Sequence, residues 1–272
     1  MPTKLTIASW NINSVRRRLA QVERLADETS ADVMCLQETK ASEPDFPNAE
    51  IAAFGYPHQA VAGYGGYNGV AILSRYPLSQ IERHGHCERN DARHISAVLA
   101  VRSGESLTIN SVYVPAGGDV PDAAVNPKFA HKLRFIDTIA DHFAGRFGFR
   151  DNIVVAGDLN VAPLPSDVWD HAKLARIVTH TPIEIAALER FKRSLHFIDA
   201  LREVVSEDDP VFTWWSYRAA DWRAANKGRR LDHVWVSTPL KDKIVAVEVL
   251  SDVRNWSPPS DHVPVVLKLD MG

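Results

Sequence analysis

Five places in this chain carry side chains that could do chemistry, and all five are polar residues at the end of an apolar run. Ile7-Ala8-Ser9-Trp10 runs into Asn11-Ile12-Asn13, and Val33-Met34-Cys35-Leu36 into Gln37-Glu38-Thr39-Lys40. Ile153-Val154-Val155-Ala156 runs into Gly157-Asp158-Leu159-Asn160, Leu231-Asp232-His233 interrupts a further run, and Ser260-Asp261-His262 stands directly before another. Taken singly each has a plain structural reading: a Gly-Asp-x-Asn after a strand is a self-capping turn, and a lone glutamate at a strand end is a solvated carboxylate. Taken together they are an oxygen-rich set with one nearby imidazole. Such donors suit Mg²⁺ or Mn²⁺, whereas zinc would want several His or Cys. Mg²⁺ takes one or two carboxylates and accepts phosphate oxygens as further ligands. The chemistry this equips is metal-assisted phosphoryl transfer.

The elements that must position these residues are mostly short strands. β-rich runs occupy Leu5–Ser9, Asp32–Gln37, Gly69–Leu73, Ile95–Val101, Leu107–Val114, Ile153–Ala156, Leu231–Val236, Ile244–Val249 and Val263–Leu269. Val15, Leu19, Val22 and Leu25 form one helical stripe, and Phe129, Leu133, Ile136, Ala140 and Phe143 a second, opened by the N-cap and N1 pair Asn126-Pro127. A third helix opens at the capping box Thr181-Pro182-Ile183-Glu184 and buries Ile185, Leu188 and Phe191. Asp141-His142 falls on the second helix and is expected in solvent; Asp170-His171 is expected in a loop. Many strands with a few interspersed helices predict two packed sheets with helices outside. No repeat or linker divides residues 1–272, so one compact domain is expected.

Composition narrows the function classes. With 45% hydrophobic residues, and 31 Lys+Arg against 34 Asp+Glu for a formal charge of −3, the chain does not hold polyanions by bulk charge. There is no apolar run long enough to span a bilayer and no signal-peptide pattern at the N-terminus. Two isolated cysteines, Cys35 and Cys87, favour a reducing compartment, so a cytoplasmic protein is expected. Any polyanion contact must rest on local patches. Five of the seven tryptophans lie in the last quarter of the chain, and between Trp214 and Arg230 they interleave with Arg218, Arg223, Lys227 and Arg229. Aromatics among cations suit phosphate contact with stacking at an unpaired position. Arg16, Arg17 and Arg18 form another cluster, read as a solvated face on the first turn of the first helix.

In this order, Trp10-Asn11-Ile12-Asn13-Ser14-Val15-Arg16, Leu36-Gln37-Glu38-Thr39-Lys40, Gly69-Val70-Ala71-Ile72-Leu73-Ser74, Val112-Tyr113-Val114-Pro115, Gly157-Asp158-Leu159-Asn160, Phe212-Thr213-Trp214, Arg230-Leu231-Asp232 and Ser260-Asp261-His262 resemble the exonuclease III branch of the endonuclease/exonuclease/phosphatase superfamily. The resemblance implies an α+β fold of DNase I type: a four-layer α/β sandwich of two packed, mainly antiparallel sheets flanked by helices. It implies a monomeric Mg²⁺-dependent phosphodiesterase (Mn²⁺ serving as well) acting on double-stranded DNA. The activities would be incision 5′ of abasic sites and 3′→5′ exonuclease action at 3′ ends.

Carried over by the same resemblance, Glu38 is the principal metal ligand and Asn11 its neighbour. Asp158 polarises the attacking water, and Asn160 holds phosphate; both also border the metal. His262 bonds the scissile phosphate and is included among the metal-site residues, with Asp232 fixing its orientation. Asp261 is a further metal-site ligand, and Tyr113 a phenol near the leaving oxygen. Whether the metal or Tyr113 assists the leaving group stays open at this level. Two departures bear on DNA contact. Ala116 stands where the family has Asn or Gln, and Asp91-Ala92-Arg93 keeps only the arginine of Glu-Gly-Arg, so Arg93 joins Trp214, Arg218, Arg223 and Lys227 as expected DNA contacts. A superfamily phosphatase acting on inositol phosphates or lipids would share the core residues, and a non-catalytic nucleic-acid binder would have lost some. The Trp/Arg segment and the complete core set favour a DNA enzyme.

Overall fold

A computed structural model of the chain describes residues 3–87, 91–101, 104–219 and 221–272. The first six-stranded sheet contains β1 (Lys4–Asn11), β2 (Val33–Gln37), β3 (His58–Ala62), β4 (Val70–Ser74), β13 (Ile244–Val249) and β14 (Val265–Asp270), in the order β13-β14-β1-β2-β4-β3. The second contains β5 (Leu78–Arg83), β6 (His94–Ala100), β7 (Ser106–Tyr113), β8 (Ile153–Asp158), β9 (Ile198–Asp199) and β12 (Asp232–Val236), in the order β5-β6-β7-β8-β12-β9. A two-stranded ribbon, β10 (Trp214–Trp215) with β11 (Gly228–Arg229), lies at one end. The sheets are mainly antiparallel; the exceptions are β1 with β2 and β7 with β8.

Residues alternate between two cores, which is why the central strands read as continuous apolar runs. Leu5, Ile7, Cys35 and Ile72 face Ile95, Ile109, Val154 and Val234 between the sheets. On the outer face of the first sheet, Ala8, Trp10, Met34 and Leu36 meet Val22 and Leu25 of α1 (Leu19–Thr29). Val112, Ile153 and Val155 on the outer face of the second meet α3 (Pro127–Arg146) and α5 (Pro182–Arg193) through Phe135, Ile139, Phe143, Leu188 and Phe191. The result is four layers. Short helices α2 (Asn48–Ala53), α4 (His171–Leu174) and α6 (Trp222–Ala225) lie in the connections between strands. Among the described residues no helix is long and apolar enough to cross a membrane.

The parallel pairs set the site. Strand β1 returns through α1 to β2, and β7 through α3 to β8, so all four strands present their C-terminal ends at the same edge, where ligands of parallel sheets collect. Gly157 is required by close packing: a Cβ there would lie 1.9 Å from the Val112 carbonyl oxygen on β7.

Several expectations are corrected. The stripe beginning at Val15 starts too early: Val15 N–H bonds the Thr39 carbonyl, alongside the chain after β2, and the helix begins at Leu19. Arg16–Arg18 precede the helix, and Arg18 is buried, its guanidinium bonded to the carbonyls of Ile12, Asn13, Pro258 and Pro259. Asp170 does not lie in a plain loop; it caps α4 by accepting from Lys173 N–H. His142 is half-buried, not solvated, and turns toward three other histidines. Strands β3 and β5 escaped the sequence reading because both are edge strands with polar, half-exposed faces, and β5 is interrupted by a bulge between Ser79 and Glu82.

Candidate active site

The strand register places the candidate residues. Asp158 at the end of β8 pairs with Tyr113 on β7 and with Asp232 on β12, so three of them occupy one row across three neighbouring strands. Asn11 ends β1 opposite Gln37, which carries Glu38 directly after it. His262 reaches the same edge through a bridge to Trp214, and its carbonyl accepts from the Trp10 indole N–H at 3.0 Å. Glu38 and Asn160 both have left-handed backbones, φ 50° and 53°, a conformation that costs non-glycine residues about 1–3 kcal/mol and gathers at functional sites.

His262 Nδ1 lies 2.8 Å from Asp232 Oδ2, and its Nε2 lies 3.7 Å from Asp158 Oδ2. Thr213 Oγ1 accepts the N–H groups of Leu231 and Asp232, so its own proton goes to Asp232 Oδ2, 2.6 Å away. Asp158 Oδ2 accepts from Asn11 Nδ2 at 2.9 Å and Asn160 Nδ2 at 3.0 Å, and its Oδ1 accepts the Asn160 N–H. Glu38 Oε1 accepts from Asn11 Nδ2 at 3.0 Å and from the Tyr113 hydroxyl at 2.8 Å, and Lys40 Nζ sits 2.8 Å from Oε2.

Electrostatics give the four titratable groups different states. Burial opposes the charged form of His262, but the carboxylates of Asp232 and Asp158 outweigh it and raise the imidazole to about 10. Burial pushes Asp158 up to about 7, against the pull of His262. Burial would also raise Glu38, but hydrogen bonds from Asn11 and Lys40 win and hold it below the usual carboxylate range. Tyr113 is driven well above the usual phenol range by burial and by the charges of Glu38 and Asp158, so it stays a proton donor.

These residues floor a cleft of about 490 Å³, whose walls include Ala116, Thr179, Trp214, Arg218, Arg229 and Asp261. Its donor set is suited to a hard cation: Glu38 is held ionised, the Asp158 and Asp261 carboxylates line the same cleft, and Lys40 already places a positive charge against Glu38. Asn11 points its amide nitrogen at Glu38 and Asp158, because its oxygen accepts the Asn13 N–H; it bridges the carboxylates. His262, bonded to Asp232 through Nδ1, lies in a cluster with Asp158 and Asp232 whose ligand atoms are all within 4.8 Å of one another, an arrangement that could hold a metal ion. Asp261 lines the cleft and accepts from Asn13 Nδ2 and Trp214 Nε1, each at 3.0 Å.

The expected DNA contacts divide. Trp214 and Arg218 line the cleft. Lys227 is exposed, 5.1 Å above the Trp169 ring, and Arg223 is exposed and paired with Asp252 at 2.5 Å; neither lines the cleft itself. Arg93 is corrected: only 2% exposed, it lies over the Tyr113 ring at 4.7 Å and pairs with Asp91 at 2.5 Å, supporting the phenol from behind. Trp215 and Trp235 belong to cores. Sequence reasoning missed Thr213 and Lys40 as site residues. Both sit within the quoted strings, yet a threonine and a lysine beside a strand end give no signal until the fold brings Asp232 and Glu38 against them.

The sequence profile of the endonuclease/exonuclease/phosphatase family matches residues 8–262. An exodeoxyribonuclease III from Haemophilus influenzae is 30% identical over 265 residues, covering 94% of this chain and 97% of that protein. The solved structure of an AP endonuclease from Archaeoglobus fulgidus superposes with a TM-score of 0.89 at 31% identity, covering 98% of this chain and 99% of the other. A Neisseria 3′ phosphatase bound to a product DNA hairpin superposes with a TM-score of 0.86 at 29% identity, with the same coverage.

Proposed function

The chain belongs to the endonuclease/exonuclease/phosphatase family, and from that premise we propose that it is a hydrolytic DNA repair nuclease that cuts duplex DNA 5′ of abasic sites and degrades it from 3′ ends. The observation that carries the proposal is the row Tyr113–Asp158–Asp232 with the His262 imidazole between the side chains of Asp158 and Asp232, at the floor of a cleft walled by Trp214, Arg218 and Arg229. Hydrolysis of a phosphodiester needs an aligned water, charge on the non-bridging oxygens and a proton for the leaving 3′-oxygen. Asp158, with its proton affinity near neutrality, orients the water and takes its proton. His262 and Asn160 bind the phosphate oxygens, and Asp232 keeps the imidazole charged and correctly turned. Tyr113 donates to the departing oxygen. A divalent ion, Mg²⁺ or Mn²⁺, held by Glu38 together with Asp158 and Asp261, would supply further charge neutralisation at the phosphate.

On this reading the cleft rim selects the substrate. An abasic nucleotide leaves a gap in the base stack and is cheap to extrude, and the Trp214 indole, anchored to Asp261, offers it an apolar wall. The chain acts as one catalytic unit, as a monomer and in the cytoplasm. The test is a gel assay on a duplex carrying one synthetic abasic site, beside intact and 3′-recessed duplexes, with Mg²⁺ and with EDTA. Metal-dependent incision 5′ of the lesion and shortening of the recessed 3′ strand are expected. No cleavage of either DNA in Mg²⁺ or Mn²⁺ would overturn the proposal.

A further inference from the structure

Four histidines outside the cleft have no part in this chemistry. His84 and His86 follow β5, His94 opens β6, and His142 projects from α3. Their rings converge, with centroids 4.4 Å apart for His84 and His94, 4.6 Å for His84 and His142, and 4.9 Å for His86 and His94. Phe135 packs against His86 and Phe143 against His94. The ligating nitrogens of His84, His94 and His142 all lie within 4.8 Å of one another.

The tautomer of His94 is fixed. Asn110 Nδ2 donates to the Val154 carbonyl, so its Oδ1 faces His94 Nε2 at 2.9 Å and accepts that proton. The Nδ1 lone pair therefore points into the cluster, where His86 Nε2–H fills it at 2.6 Å. His142 Nε2 is buried without a hydrogen-bond partner. An imidazole held from behind by a carbonyl is how metal-binding histidines are supported; a metal on His94 Nδ1 would take the place of the His86 N–H, beside the unpartnered His142 Nε2. His84 and His142 are half-exposed, which gives an entry path.

We propose that His84, His94 and His142 form a second metal site, for Zn²⁺ or another imidazole-preferring divalent transition ion, separate from the oxygen-lined cleft. Nitrogen donors suit Zn²⁺, Ni²⁺ or Cu²⁺ and not Mg²⁺. Tetrahedral zinc at about 2.0–2.1 Å from each nitrogen needs them roughly 3.4 Å apart, so the side chains close by about an ångström on binding. The ion would tie the start of β6 to α3. It would brace the segment that carries Arg93, whose guanidinium supports Tyr113.

The test is a Zn²⁺ titration of the full chain against a chromophoric chelator in excess Mg²⁺, with thermal unfolding in parallel. One tight equivalent and a raised Tm are expected, both retained in Glu38→Gln. His84→Gln and His142→Gln should each weaken the binding at least 10-fold and lose the Tm rise. Co²⁺ gives an independent readout in the wild type, since nitrogen-ligated tetrahedral cobalt has intense visible bands and an oxygen-ligated octahedral ion does not. The absence of a tight equivalent, its survival at full affinity in both histidine variants, its loss in Glu38→Gln, or only weak octahedral cobalt bands would each overturn the proposal.

Discussion

Asp232→Asn should change the pH at which the enzyme works, not only how fast. His262 Nδ1 is 2.8 Å from Asp232 Oδ2, which puts the charge centres about 4 Å apart. At an effective dielectric of about 20 that attraction is roughly 4 kcal/mol, or about 3 pKa units. Asp232 thus supplies a large part of the lift of the imidazole from 6.5 to about 10, with Asp158 adding to it against the opposing burial. Asparagine keeps the volume and an oxygen for the Thr213 and His262 donors but removes the charge, so His262 should fall to about 7. At pH 8.5 about 3% of the variant would then carry the imidazolium, against nearly all of the wild type. The ratio of variant to wild-type kcat/KM on abasic DNA should drop roughly 30-fold between pH 6 and pH 8.5, beyond any uniform loss. Heteronuclear NMR of the His262 ring reads the same shift directly. A ratio that stays flat from pH 6 to 9 would refute the reasoning and reduce Asp232 to an orienting group.

Tyr113→Phe should lower kcat about 10²-fold with KM little changed, because the phenol gives its proton only in the transition state; steady-state kinetics showing the loss in KM alone would place Tyr113 in substrate binding. Trp214→Ala should depress abasic-site incision strongly while sparing hydrolysis of a small phosphodiester, and an equal loss on both would leave specificity to other residues. Arg218→Ala should weaken every DNA substrate alike and reduce the salt slope of binding by about one, as a single phosphate contact does. Arg230→Met should destabilise the fold by about 3–5 kcal/mol in urea, since Arg230 pairs with buried Asp167 and Asp199 at 2.6 and 2.8 Å, and its removal leaves Asp199 with only His233 at 3.9 Å while Asp167 keeps Arg202.

The layered architecture was legible in the sequence because burial on both faces forces continuous apolar runs. Runs such as Val33–Leu36 and Ile153–Ala156 mark central strands whatever their neighbours are. The second and third helices were legible because Asn126-Pro127 and the Thr181–Glu184 box are local signals, written within one turn. Edge strands β3 and β5 were not, since one half-exposed face leaves them polar. The candidate site residues were also legible as types at strand ends, and the family-matched strings ordered them along the chain. What each one does with its neighbours was not.

Only the tertiary structure aligned Tyr113, Asp158 and Asp232 in one row, because that depends on the register of β7, β8 and β12 and not on any local pattern. Only the fold placed His262 between the carboxylates of Asp232 and Asp158, which raise the imidazole against its burial; an imidazole's charge is set by its surroundings, and the sequence does not list surroundings. Arg93 and Arg18 show the same thing from the other side. The sequence reads Arg18 as solvated and Arg93 as a DNA contact, yet the fold closes over both and spends their donors on backbone carbonyls and on Asp91. The four histidines at positions 84, 86, 94 and 142 are scattered along the chain, and nothing but the packing of α3 on the second sheet gathers them. Residue chemistry is local and was determined by the sequence alone; distance, protonation and exposure are collective, and they were decided by the fold.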